Sequence, residues 1–318
     1  MHLRRLRVAT SAGRPMPSPL SAADLAAFDR DGFVVLREAV PRAVALACRD
    51  ALWAKLEGDR GIRKDEPATW AKAEGGRVGL AEAYGGDDLG APWAAVWSPR
   101  LVAAVDQLCG KDRWEKPGLG WWVINFPARG GAGAWHVDGA HFAHTLASPE
   151  IGLAPILLFS DVAPGGGGTA LAPGSHRAVA ALLARAGPAG VGGPRLSALA
   201  RAAVGEPPPS IVEASGRAGD VVLAHPLLLH ARSANLGAVD DADAVRFGCF
   251  PNVPMRAPLR LEGGAATPVE APLRAARAAG GAPLPAAARR RPRSAEDDAL
   301  LLEMGFARFG GAKKRRRR

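Results

Sequence analysis

The pattern of apolar positions along the chain changes character near residue 119. Before it they recur every three or four residues. Ser21 stands as an N-cap with Asp24 three positions on, and Leu25 and Phe28 open a helical stripe. The "FVVL" after Asp31-Gly32 reads as a strand. Two further helices are predicted over about 41–57 (Val44, Cys48, Leu52, Leu56) and about 99–109 (Leu101, Val102, Val105, Leu108). The polar, glycine-rich "GDRGIRKDEPATWAKAEGGRVG" between them reads as a long loop.

After residue 119 the runs shorten and become β-branched: "LGWWVINF", "IGLAPILLFSDV", "SIVEA", "GDVVLAHPLLLH" and "VRFGCFPNV". Gly, Pro, Asp and Asn turns separate them, which predicts a sandwich or barrel of short strands. Residues 176–203 interrupt the series as an Ala/Leu-rich helical insertion. The expected plan is mainly β with flanking helices: a helical part over 20–112 and a β core over 113–256. A basic segment (1–19) precedes it and a low-complexity tail (257–318) follows, within which "EDDALLLEMGFARF" could form a short helix.

Charge changes the picture only at the ends. The formal net charge is +10, but residues 1–19 hold four arginines and no acid, and 289–318 hold eleven Lys/Arg against four acids. The body, 20–288, carries 26 basic and 27 acidic residues, so a nucleic-acid partner would be met through the tails alone. The Arg-rich opening fits either disorder or a transit peptide. Three widely spaced cysteines, Cys48, Cys109 and Cys249, argue for a reducing, intracellular compartment. No apolar run approaches a membrane span.

Six of the seven histidines fall between 136 and 230. In "WHVDG", strand geometry projects His136 and Asp138 to one side and Val137 to the other. An imidazole and a carboxylate so placed can take adjacent positions on one metal. His230, closing "GDVVLAHPLLLH", is the candidate third ligand and His225, in the same run at odd spacing, its competitor. Two histidines and a carboxylate on one face leave coordination positions open, as in non-haem Fe(II) oxygenases. The competing reading is a strand-end histidine hydrogen-bonded to an aspartate. His141 and His144 are expected at the pocket rim, and His176, after "APGS", as structural. Neither HExxH nor GxSxG occurs, which disfavours zinc hydrolysis and serine nucleophilic catalysis. Trp121, Trp122, Phe126, Trp135 and Phe142 read as pocket mouth or as core.

Taken in order, "LSAADLAAFDRDGFVVL", "WWVINFP", "WHVDG", "LLFSDVAPGGGGTALAPGSH" and "GDVVLAHPLLLHARSAN" resemble the phytanoyl-CoA dioxygenase family of Fe(II)/2-oxoglutarate oxygenases across about 20–255. The resemblance implies a double-stranded β-helix of jelly-roll, cupin-like type. It implies His136, Asp138 and His230 as iron ligands, with Fe(II), 2-oxoglutarate and O₂ as cofactor and cosubstrates. Arg246 occupies the position that pairs with the far carboxylate of 2-oxoglutarate, and Asn125 and Thr169 are further candidates there. Two features depart from the family's pattern. "GAVDDADA" lengthens the loop before Arg246, and Arg232 replaces a small hydroxyl residue, making it a rival for the carboxylate. Asp138 itself implies hydroxylation, since halogenating relatives carry a small residue there. The expected reaction is hydroxylation of a small organic molecule with release of succinate and CO₂. The competing reading is a macromolecule-directed oxygenase, or a nuclear or nucleic-acid-binding protein, working through "AKKRRRR".

Overall fold

Side-chain alternation along the strands gives the main sheet two unlike faces, and the site depends on the difference. The structure, a computed structural model, describes residues 18–80 and 91–280. In chain order the first part runs α1 (Ala22–Asp31), β1 (Phe33–Leu36), α2 (Arg42–Arg60), β2 (Arg77–Leu80) and α3 (Pro99–Cys109). The middle holds β3 (Trp121–Asn125), β4 (Ala143–His144), β5 (Ala154–Leu158) and β6 (Thr169–Leu171). The insertion follows as α4 (Ser175–Ala186), β7 (Val191–Gly192) and α5 (Gly193–Val204). The chain then runs through β8 (Val212–Glu213), β9 (Val221–Ala224), β10 (His230–Arg232), β11 (Arg246–Phe250) and α6 (Ala271–Ala278).

A six-stranded sheet has the order β1-β9-β5-β11-β3-β2, and a three-stranded sheet the order β10-β6-β8. Every strand pairing in them is antiparallel. On the larger sheet Ile124, Leu157, Leu223, Phe247 and Cys249 join the helices in the main core. Their neighbours Ile156, Leu158, Val222, Ala224 and Phe250 face the smaller sheet, in a second cluster with Leu171. Alternation therefore separates a helix-packed face from an inner face.

The predicted N-cap is a full capping box: Ser21 Oγ accepts from Asp24 N–H, and Asp24 accepts from Ser21 N–H at 2.8 Å. The segment expected as a loop after α2 contains a 3₁₀ turn (Pro67–Lys72) and β2. Trp70 anchors that turn, fully buried, its Nε1–H donating to Arg63 O at 2.8 Å. Trp122 and Phe126 belong to the core rather than a pocket mouth: Trp122 packs on Phe159 and Phe126 on Trp53 and Trp70. All three cysteines are free and buried, and burial pushes the Cys48 thiol up to about 12.

Two expectations need correction. "GDVVLAHPLLLH" is not one strand. A turn at His225–Leu228, closed by Leu228 N–H to His225 O at 2.9 Å, ends β9 and lets β10 begin in the other sheet. Nor does the folded body stop at 256. Leu259, Leu261, Val269 and Leu273 are buried, and α6 docks on α4. Local composition concealed this because the anchoring is tertiary. Glu270 is fully buried and pairs with Arg113 at 2.5 Å, while accepting from the Arg260 and Thr267 N–H groups at 2.6 and 3.0 Å. The basic ends and the "EDDALLLEMGFARF" segment lie outside the described residues, apart from Ser18 and Pro19.

Burial alone would raise the Glu270 carboxyl; Arg113 and the two backbone donors reverse this and bring it down to about 2. Its contribution is then complete above the ordinary glutamate range and lost as pH falls from about 4.5 toward 2. Replacing Glu270 by Gln strands Arg113 and should cost about 3–5 kcal/mol in urea unfolding at pH 7. That difference should shrink as the unfolding is repeated toward pH 3; a constant difference would contradict the pairing.

Candidate active site

The site begins with a backbone bridge. His136 N–H donates to His230 O at 2.8 Å and His230 N–H to His136 O at 3.0 Å, so the "WHVDG" segment runs antiparallel beside β10. Directly opposite residues share a face, which brings the two imidazoles together with ring centroids 4.4 Å apart. The chain bends at Asp138 rather than continuing as a strand. Even so Asp138 stays on the histidines' side, while Val137 is buried behind them with its N–H donated to Ser197 Oγ of α5 at 3.1 Å. At Gly139 φ is +91°, and a Cβ would lie 2.6–2.7 Å from Phe142 and His144, so only glycine permits this bend.

One ligand atom from each of His136, Asp138 and His230 lies within 4.8 Å of the others. The Asp138 Oδ1 oxygen is 3.8 Å from His136 Nε2 and 3.5 Å from His230 Nε2. Each histidine has its Nδ1 on a backbone carbonyl: Ala134 O for His136 at 2.9 Å, Leu228 O for His230 at 3.0 Å. A ring nitrogen facing a carbonyl must carry its proton, which leaves Nε2 as the lone-pair nitrogen in the neutral ring. Two lone pairs then converge on an anionic oxygen, an arrangement a cation between them stabilises. Burial, with the His230 charge second, pushes His136 down to about 4. Burial opposes charge on Asp138 and His230 as well, but their mutual attraction prevails, holding Asp138 low and His230 raised. Asn252, which the sequence reading missed, adds a smaller influence that also holds the Asp138 carboxyl low.

The other histidines separate cleanly. His225 is fully buried, its Nε2 against Val269 O at 3.0 Å and its Nδ1 accepting from Leu227 N–H at 3.2 Å, so neither nitrogen can serve a metal. His176 is fully buried against His225, ring centroids 5.0 Å apart. His141 is exposed as expected. His144 is not at the rim: it is buried with Nε2 on Gly139 O at 3.1 Å, supporting the bend after Asp138.

Asp138 and His230 open onto a cavity between the sheets, walled by Ile156, Leu171, Ala224, Leu228 and Phe250. Arg246 enters the inner face from β11, in register with Asn125 of β3. It is 2% exposed, yet among the described residues no carboxylate lies within ion-pair distance of it. One terminal nitrogen donates to Thr169 Oγ1 at 3.0 Å, its Nε–H has no acceptor, and its guanidinium sits 5.6 Å from the Phe250 ring centroid. Burial pushes it down to about 10. A Cβ on Gly248 would lie 2.9 Å from the guanidinium, so the glycine leaves room for it. Asn125 lies where expected but donates its amide to Gly167 O and Ser233 O, both at 3.2 Å. Arg232 reaches away to Gly75 O at 3.1 Å. Asn235, also missed, ties the base of the long loop by donating to Asn125 O and Ala244 O at 3.0 and 2.8 Å.

A family model described as phytanoyl-CoA dioxygenase (PhyH) matches residues 28–240. Among solved structures the chain is similar to SnoK, a non-heme alpha ketoglutarate dependent carbocyclase from nogalamycin biosynthesis, at 22% identity and TM-score 0.48, covering 74% of this chain and 84% of that one. It is also similar to EctD from S. alaskensis with 2-oxoglutarate and 5-hydroxyectoine, at 20% identity and TM-score 0.46, covering 79% and 81%. A third is HygX from Streptomyces hygroscopicus with nickel and 2-oxoglutarate, at 16% identity and TM-score 0.46, covering 74% and 87%. No curated protein matches the sequence. With the family model spanning well over half of its length, the chain belongs to the phytanoyl-CoA dioxygenase (PhyH) family and is an enzyme of the Fe(II)/2-oxoglutarate-dependent oxygenase class.

Proposed function

We propose that the two sheets are the halves of a double-stranded β-helix, and that the cavity between them hydroxylates a small organic substrate. The observation that carries this reading is the convergence of two Nε2 lone pairs and one carboxylate, with both Nδ1 atoms already committed to carbonyls. Such a donor set suits Fe(II) and leaves coordination positions for other ligands. Bound there, Fe(II) supplies O₂ activation coupled to oxidative decarboxylation of 2-oxoglutarate to succinate and CO₂.

The protein's own part is to fix charge and direction. His136 and His230 hold their lone pairs in one tautomer through the Ala134 and Leu228 carbonyls. Arg246 is a buried cation without a carboxylate; leaving it so costs several kcal/mol, which an incoming dianion offsets. Its unspent N–H groups and the Thr169 hydroxyl suit the distal carboxylate of 2-oxoglutarate. Asn125 holds the Gly167 and Ser233 backbone beside that carboxylate rather than donating to it. The apolar wall of Ile156, Leu171 and Phe250 keeps the reacting centre dry. With Asp138 present, all three metal positions on the protein side are filled, which favours hydroxylation over halogenation.

Mass-spectrometric detection of succinate formed from 2-oxoglutarate, dependent on Fe(II) and O₂, is the direct test of this activity. Asp138→Ala should reduce it to background and weaken Fe(II) binding by more than about 100-fold, beyond what losing an outer hydrogen-bond partner does. Arg246→Lys keeps the charge but not the two-pronged geometry. It should raise the KM for 2-oxoglutarate by about 10–100-fold with a much smaller change in kcat. An unchanged KM would remove Arg246 from the carboxylate site.

A further inference from the structure

The inner face of the larger sheet carries a second cation that the reaction as described does not use. β2, β3 and β11 set Arg77, Asn125 and Arg246 directly opposite one another, so the three share the inner face. Val78, the next residue along β2, packs with Ile124 and Phe247 in the helical core, as alternation requires. Arg77 is half-buried. Among the described residues no carboxylate lies within ion-pair distance of it or of Arg232.

Arg232 comes from the opposite sheet. It stands two positions beyond His230 in β10 and so shares that ligand's face. One terminal nitrogen donates to Gly75 O at 3.1 Å, two residues ahead of Arg77, which brings its guanidinium over the start of β2. Strand register and that hydrogen bond set the two cations at the same edge of the space between the sheets. Like charges brought together in a partly desolvated place are unfavourable unless an anion spans them.

A charge count favours an anion other than 2-oxoglutarate. With Fe(II), doubly ionised 2-oxoglutarate, Asp138 and Arg246 in place, the formal charges cancel. Arg77 and Arg232 remain as surplus positive charge, on the strands that carry the row of Arg246 and the face of His230. Guanidinium groups suit carboxylate and phosphate oxygens alike. We propose that Arg77 and Arg232 form an oxyanion subsite that holds the substrate by a carboxylate or phosphate group. The inference rests on the reading of the cavity as an oxygenase site, and it narrows the substrate to an anionic molecule.

The test is calorimetric, on the full chain loaded with Zn(II) and 2-oxoglutarate so that nothing turns over. Phenylacetate and phenyl phosphate are titrated against benzyl alcohol as the uncharged control. Wild type should bind one of the anions at least about tenfold more tightly than the alcohol, and which anion it is separates a carboxylate substrate from a phosphate. Arg77→Gln and Arg232→Gln should each remove about tenfold of that preference while leaving 2-oxoglutarate affinity within about twofold. Arg77→Lys, which keeps the charge, should retain part of the preference and guards against a merely unfolded variant. Equal binding of anion and alcohol, or a preference untouched in both Gln variants, overturns the subsite and leaves the oxygenase reading standing. Loss of 2-oxoglutarate affinity in the Gln variants overturns it too, by making the pair part of the cosubstrate site. Failure of wild type to bind 2-oxoglutarate at all would sink the oxygenase reading itself, and this inference with it.

Discussion

The pair of backbone hydrogen bonds between His136 and His230 is the constraint from which the site follows. It joins two segments far apart in sequence, and by joining them as directly opposed residues it fixes both imidazoles on one face. β10 in turn pairs with β6, which sets Thr169 opposite Arg232 and Leu171 opposite His230. From behind, α5 holds the ligand segment through Ser197 and Val137. The helical insertion is therefore a buttress, and its position between β6 and β8 in the chain is what allows it to reach the back of the "WHVDG" segment.

The larger sheet contributes the opposite wall, and its unusual property is the charge it turns inward. An ordinary sandwich puts apolar residues on both inner faces. Here Arg77, Asn125 and Arg246 interrupt the inner face in one row, with Gly248 leaving space beside the Arg246 guanidinium. Burying a cation without a carboxylate is costly, and Arg246 recovers only part of that cost from the Thr169 hydroxyl and the Phe250 ring. The segment after residue 256 closes this arrangement from outside. Glu270 and Val269 reach the body, and the Val269 carbonyl occupies the Nε2 of His225, removing from metal chemistry the histidine nearest in sequence to His230.

Much of this could be read in the sequence, because the signals were local. The Ser21–Asp24 cap, the "FVVL" strand, the helix over 99–109 and the insertion after 176 all depend on spacing within a few residues. His136 and Asp138 were legible for the same reason. His230 and Arg246 needed the order of several motifs, since their partners lie in other strands. What stayed hidden was tertiary. The break at His225–Pro226 looks like a strand interior in an apolar run, and residues 257–280 have a tail's composition but a buried glutamate that only Arg113 explains. Asn252 and Asn235 carry no spacing signal at all. His144 looked peripheral because the reversal at Gly139, which turns it inward, depends on a positive φ that a single glycine does not announce.

The most direct measurement is the visible spectrum of the protein under anaerobic Fe(II) and 2-oxoglutarate. An oxygenase centre on His136, Asp138 and His230 predicts the weak metal-to-ligand charge-transfer band of the Fe(II)–2-oxoglutarate chelate in wild type and in His225→Ala, and its loss in His230→Ala. No band in wild type, or a band that survives in His230→Ala and vanishes in His225→Ala, would contradict it.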